Sequence, residues 1–327
     1  MAIGYERSAQ TVHDSRSGDR ADFVAGKAGP RRPYLEFRLL GDFAIHSLPS
    51  GKPLDVPREV LLLLSYLLLS RDVEHTRDEL CRAIWPGQEA SRANSRCKRA
   101  IGQLRKAFAA AGFDPDAYII AAPAGQIAFD RSSNYWMDVD ALEALGTNAI
   151  DRADGALASF GPDALEAIVR LYAGDILRGF DLEWICRARE RYLALYVDSL
   201  ICLAEYYRAH GDLATSIECA EMAVARQPLR EDIHRGLIAL HAVQGQRHLA
   251  LRQYKICKAI LEIELGIAPT PETDATLERA LTRPKSCGGA QWPRIRPEID
   301  PSSGDRQAPN LGPRPWHRPT AGNILDY

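Results

Sequence analysis

Thr76–Ala111 reads TRDELCRAIWPGQEASRANSRCKRAIGQLRKAFAAA. Thr76 and Glu79 stand three apart ahead of an apolar run, the spacing of a capping box. There each side chain satisfies a backbone amide that the start of a helix leaves unpaired. This predicts a helix from Thr76 through Trp85, stopped by Pro86-Gly87. A longer helix is predicted over about Ser91–Ala111. Cys97, Ile101, Leu104 and Phe108 recur at helical spacing and predict its buried stripe. Arg92, Ser95, Arg99, Gly102 and Lys106 then fall on the opposite side, flanked by Arg96 and Lys98. Ala90 to Phe113 holds no Asp or Glu.

Upstream, Pro57 suits the first position of a helix that runs to about Ser70 with its leucines mostly buried. Ahead of it, Leu35–Leu39 alternates apolar and polar as a half-buried strand does. Gly41-Asp42 turns the chain, Phe43–His46 returns as a second strand, and Pro49-Ser50-Gly51 turns it again. Downstream, Tyr118–Asp130 reads as a hairpin with Pro123-Ala124-Gly125 at the turn. A small sheet, three helices and a closing hairpin make up an α+β winged helix-turn-helix, predicted for 34–131.

The block 132–283 reads as helical, so the chain as a whole is mainly α. Gly211 and Gly245 lie 34 residues apart, each closing one helix of a pair. The same offset aligns Leu203 with Leu237, Tyr207 with His241 and Ala223 with Cys257. A 34-residue period of paired helices is the tetratricopeptide signature. Residues 1–33 have no apolar period and are expected to form a disordered leader. Residues 284–327 are rich in proline and are expected to form a disordered tail.

Apolar residues make up 46% of 327, enough for real cores, and the net charge is only −2. No whole-chain field draws the protein to nucleic acid or membrane, so any such affinity is local. No apolar run approaches the ~18 residues of a membrane span. The N-terminus has no secretory core, and a cytoplasmic protein is expected. The seven cysteines include no CxxC and are expected as reduced, mostly buried thiols. His234, His241 and His248 are spaced by seven, where a metal pair on one helix uses three or four, and no carboxylate completes a set. No phosphate-binding, hydrolase or metalloprotease motif occurs. No catalytic residue, cofactor or metal is expected.

The acid-free helix is the sharpest functional signal. A helix of this kind fits the DNA major groove, where Arg reads guanine edges with paired hydrogen bonds. The candidate DNA contacts are Arg92, Asn94, Ser95, Arg96, Lys98, Arg99, Arg105 and Lys106. The last two, near the helix end, suit backbone phosphates. The hairpin tip carries no Arg or Lys. In the loop Trp85–Ala90, Gln88 and Glu89 are candidates for contact with RNA polymerase.

Several motifs resemble those of the SARP/AfsR-type bacterial activators. They include Leu39-Leu40-Gly41-Asp42-Phe43, Arg77-Asp78-Glu79-Leu80 with Ile84-Trp85-Pro86, and Ala100–Phe108. In the second block they are Asp138–Leu142, Leu171–Leu177 with Gly179-Phe180, Pro228–Glu231, Ala250–Tyr254 and Glu264–Thr273. The resemblance implies an OmpR-type winged helix that reads direct repeats and a bacterial transcriptional activator domain with tetratricopeptide-like repeats. It implies double-stranded DNA and RNA polymerase as partners, and 91–108 as the recognition helix. Self-association, or a peptide or ligand, is open at the repeat domain. The alternative is a protein-interaction scaffold with a degenerate winged helix.

Overall fold

Strand β1 (Tyr34–Arg38) buries Leu35 and Phe37 and turns Glu36 and Arg38 to the other face, the two-residue period of a sheet covered on one side. It pairs antiparallel with β2 (Ala44–Leu48), which pairs with β3 (Lys52–Pro53). On its other edge β1 takes a parallel partner, β6 (Tyr135–Met137), giving the order β3-β2-β1-β6. Three residues are too few to show a period, and the partner strand is distant in sequence, so β6 left no trace in the pattern. In the computed structural model the described residues are 33–70, 73–121, 125–150 and 162–282. The predicted leader and tail lie outside them, as do Pro123 and Ala124 of the predicted hairpin turn.

Three helices follow the first sheet: α1 (Arg58–Leu69), α2 (Arg77–Ile84) and α3 (Ala90–Ala110). Pro57 is the N-cap of α1 rather than its first helical residue. Val60, Leu63, Leu64, Leu67 and Leu68 are all buried, which accounts for the leucine-rich composition of α1. Both halves of the predicted capping box form at α2, with Thr76 accepting from the Glu79 amide and Glu79 accepting from the Thr76 amide at 2.8 Å. The hairpin β4 (Ile119–Ala121) and β5 (Ile127–Phe129) is antiparallel. His75 and Ile127 exchange backbone bonds of 2.9 and 2.8 Å, stitching the hairpin to the start of α2.

The second half is helical: α4 (Asp138–Ile150), α5 (Pro162–Leu171), α6 (Glu183–Ala209), α7 (Leu213–Arg226), α8 (Glu231–Val243), α9 (Arg247–Leu265) and α10 (Pro271–Thr282). Gly211 turns α6 into α7 and Gly245 turns α8 into α9, at φ +83° and +78°. Both occupy the left-handed region where glycine has no Cβ penalty. The 34-residue offset therefore lands on equivalent turns. The aligned pairs Leu203/Leu237 and Ala223/Cys257 are buried at equivalent places.

The described residues fall in one compact unit, and a single apolar cluster runs from Leu35 through the winged helix into the helical half as far as Leu240. The junction is built from two of the sequence motifs. Asp138, at the start of α4, accepts hydrogen bonds from the Leu39, Leu40 and Val139 amides at 2.8–3.0 Å. Leu40 bridges to Ile176 through the backbone. At Gly41 (φ +88°), an added Cβ would meet the Ala173 Cβ at 3.1 Å. Arg189 of α6 donates to the carbonyls of Ile176, Leu177 and Phe180 at 3.0, 2.6 and 2.6 Å, fixing the loop that Gly41 packs against.

Candidate nucleic-acid interface

Helix α3 packs on both α1 and α2 through Ala93, Cys97, Ala100, Leu104 and Phe108. Ile101, expected in that stripe, is half-buried at its edge, and Ala100 takes the centre. Positions 100 and 101 straddle the stripe, and a small side chain suits the line of closest approach between helices. The N-cap is Glu89, whose carboxylate accepts from the Ser91 amide at 3.3 Å and the Ser91 hydroxyl at 2.8 Å. A negative charge there also complements the helix dipole. Gln88 is exposed in the same loop.

The eight candidate contacts divide by environment. Arg92, Ser95, Lys98, Arg99 and Lys106 are exposed. Among the described residues, Arg92, Lys98, Arg99 and Lys106 have no ion-pair partner. Arg92, Arg99 and Lys106 are spaced by seven and share one side of the helix. The Ser95 hydroxyl donates back to the Ser91 carbonyl at 3.0 Å.

The other three turn toward the protein. Asn94 is half-buried, and its carbonyl faces the Cys81 thiol at 4.0 Å. Arg96 pairs with Glu59 of α1 and lies over the Trp85 ring at 5.6 Å. Arg105 pairs with Asp116. Both acids lie outside the acid-free window, so the local run of bases concealed the pairs. Asp114-Pro115-Asp116 has the composition of a turn, yet nothing in the sequence points that turn at Arg105.

The hairpin carries no cation among its described residues. Ile120 and Ala121 are exposed, and Gln126 is half-buried. Arg131, just after it, donates to the Leu68 carbonyl, Asp140 and the Tyr135 hydroxyl, and so ties the base of the hairpin to α1 and α4.

The helical half touches this unit directly. The Trp184 indole donates to the Ala83 carbonyl of α2 at 3.1 Å and meets Tyr66 edge-on at 5.2 Å. Arg58 of α1 donates to the Gly179 carbonyl at 2.6 Å and lies 4.0 Å from the Phe180 ring centre. Among the described residues no three of His, Cys, Asp and Glu gather as metal ligands. The two ring nitrogens of His234 meet the Pro228 carbonyl at 2.9 Å and the Gln253 amide at 2.7 Å. No described helix is long and apolar enough to cross a membrane.

Residues 137–281 match the family model described as bacterial transcriptional activator domain. A winged helix followed by that domain is similar to the make-up of the SARP-type bacterial transcriptional activators, and the domain and the relatives below support a transcriptional regulator. It is 27% identical over 252 residues to the transcriptional regulatory protein MoaR1 of Mycobacterium tuberculosis, covering 76% of this chain and 79% of that one. It is 25% identical over 254 residues to the transcriptional regulatory protein EmbR of Mycobacterium bovis, covering 76% of this chain and 63% of that one. The solved structure of Mycobacterium tuberculosis EmbR in complex with a low affinity phosphopeptide superposes with a TM-score of 0.63 at 25% identity. That match covers 76% of this chain and 65% of EmbR, so this chain spans less than two thirds of the EmbR length.

Proposed function

We propose that the chain binds double-stranded DNA through α3, with 34–131 as the DNA-binding part and 132–283 as the activator part. The observation that supports this is the outward row Arg92, Arg99 and Lys106, with Lys98 beside it, exposed and unpaired on the last helix of a helix-turn-helix. Affinity would come mainly from neutralising phosphates, and specificity from Arg at base edges. Arg92 and Arg99 are the readers, and Ser95 lies between them. Lys98 and Lys106 contact backbone phosphates. Asn94 supports α3 from its inner side. Arg96 begins in a pair with the half-buried Glu59 and Arg105 in a pair with the exposed Asp116; a solvent-exposed pair contributes only about 0–1 kcal/mol, so Arg105 is the freer of the two to turn to phosphate.

By resemblance, the sites are direct repeats read by copies side by side about one helical turn apart, and the bound protein recruits RNA polymerase to activate transcription. Gln88 is the exposed candidate for that contact. Glu89 is a less available one, because its carboxylate caps α3.

The test is affinity selection of the full chain on random-sequence duplexes at two salt concentrations. Enrichment of a direct repeat, lost in an Arg92→Ala/Arg99→Ala variant that still folds, supports the reading. No enrichment, or enrichment that the variant retains, removes α3 as the recognition helix and favours the interaction scaffold.

A further inference from the structure

Gly102 stands within α3, and nothing in the fold asks for a glycine there. Its backbone is helical rather than left-handed, and a Cβ added to it would meet no atom within 4 Å. Gly146 of α4 is different. A Cβ there would meet the Leu195 methyl groups at 2.8 Å, so close helix packing accounts for it. Inside a helix glycine is less favourable than alanine, because it has more backbone freedom to lose. Gly102 therefore weakens α3 and gains no contact within the protein.

Residues three and four positions away on a helix are surface neighbours. For Gly102 these are Lys98, Arg99, Arg105 and Lys106, and all four are cationic. Arg105 pairs with Asp116, whereas Lys98, Arg99 and Lys106 have no ion-pair partner among the described residues. At about 100° per residue, Gly102 lies within about 20° of the direction opposite the buried stripe of Ala93, Cys97, Ala100, Leu104 and Phe108. The one position of α3 without a side chain thus faces outward at the centre of its most positive patch. A helix-weakening residue and a ring of cations coincide at one place. A polyanion that approaches the helix closely accounts for both, since glycine is the residue that lets a backbone come near a ligand.

We infer that Gly102 is the point where α3 comes closest to DNA, its bare backbone resting against base edges on the floor of the major groove while the side chains around it reach past. This rests on α3 being the DNA-binding helix, and it names the residue that sets how deeply the helix seats. Gly102 is a positioning residue. It acts by leaving room for the contacts that Arg99 and its neighbours make.

The test measures stability and binding together, in the full chain. Gly102→Ala should raise Tm by roughly 2–4 °C and yet weaken binding to the duplex enriched by affinity selection. Gly102→Leu adds bulk without charge or a hydrogen-bonding group. It should weaken that binding by roughly tenfold or more, with little change on random-sequence duplex of the same length. A glycine needed only by the fold would lose stability and affinity together, and that result overturns the inference. So does a Gly102→Leu protein that binds the enriched duplex like the wild type while Arg92→Ala/Arg99→Ala does not. Equal losses on enriched and random duplex overturn the placement on the groove floor. A wild type that enriches no duplex, or one matched in binding by Arg92→Ala/Arg99→Ala, removes α3 as the DNA-binding helix and the inference with it.

Discussion

The indole nitrogen of Trp184, in the first turn of α6, donates to the carbonyl of Ala83 in the last turn of α2, at 3.1 Å. This bond ties the helical half to the helix that supports α3. The apolar cluster is continuous across the same boundary, so the two parts should unfold together. Trp184→Phe keeps most of the ring contact with Tyr66 and removes the donor, at a cost of about 1 kcal/mol. In a unit of this size that lowers Tm by roughly 2–4 °C. Calorimetry should show one transition, shifted as a whole. Two separated transitions would show that the interface does not couple the halves.

Asp138 anchors the other end of the junction. It is 4% exposed and serves three backbone amides, those of Leu39, Leu40 and Val139. Asp138→Ala removes the acceptor of all three, and each one left unsatisfied in a buried setting costs about 1–3 kcal/mol. Asp138→Asn keeps one acceptor oxygen and should lose less. Chemical denaturation of the three proteins gives the order, and equal losses would mean that shape rather than hydrogen bonding holds the site.

On DNA the exposed cations of α3 should separate by role. Lys106→Ala removes a phosphate contact, so it should weaken all sequences alike and reduce the salt slope by about 1. Arg99→Ala removes a base contact and should cost roughly 1–3 kcal/mol on the selected site with little change on random DNA. Arg96→Ala should cost less than Arg99→Ala, because Arg96 begins in a pair with Glu59. Titrations at several salt concentrations distinguish these outcomes. Equal effects on specific and random DNA from all three would leave α3 as a non-specific contact only.

Stability should fall on mild acidification. Burial pushes the His234 imidazole below its usual range, and its neutral ring already fits its surroundings, one nitrogen donating to Pro228 and the other accepting from Gln253. His75 is shifted down by burial as well. For a base with a depressed folded pKa, the unfolded chain takes up the proton first. The stabilising effect is complete above the unfolded value near 6.5 and declines as pH falls toward the lower folded value. Tm should therefore drop between pH 7.5 and 5.5. His234→Gln should be less stable at pH 7.5 yet show a shallower drop, and an unchanged slope would remove His234 as a contributor.

The parts legible in the sequence were those written in local periodicity. Leu35, Phe37 and Leu39 alternate, and that pattern placed β1. Thr76 and Glu79 placed the start of α2, because a capping box closes within one turn. Gly211 and Gly245 placed the helix reversals, because only a residue without a Cβ takes those backbone angles cheaply. The basic run of α3 was equally plain. Harder to read were the partners of those bases. Glu59 and Asp116 reach Arg96 and Arg105 across the fold, and Glu89 is not among the commoner helix caps.

The sequence by itself therefore determined most of the winged-helix elements, their order and the positive side of α3, but not β6, since each of those follows from the conformational preference and hydropathy of residues a few positions apart. Only the tertiary structure decided which of those charges stay in solvent, and how the two halves join through Asp138, Gly41, Arg189 and Trp184. These outcomes depend on contacts between residues far apart in the chain. Their strength comes from burial and from distances of about 3 Å that no local pattern encodes.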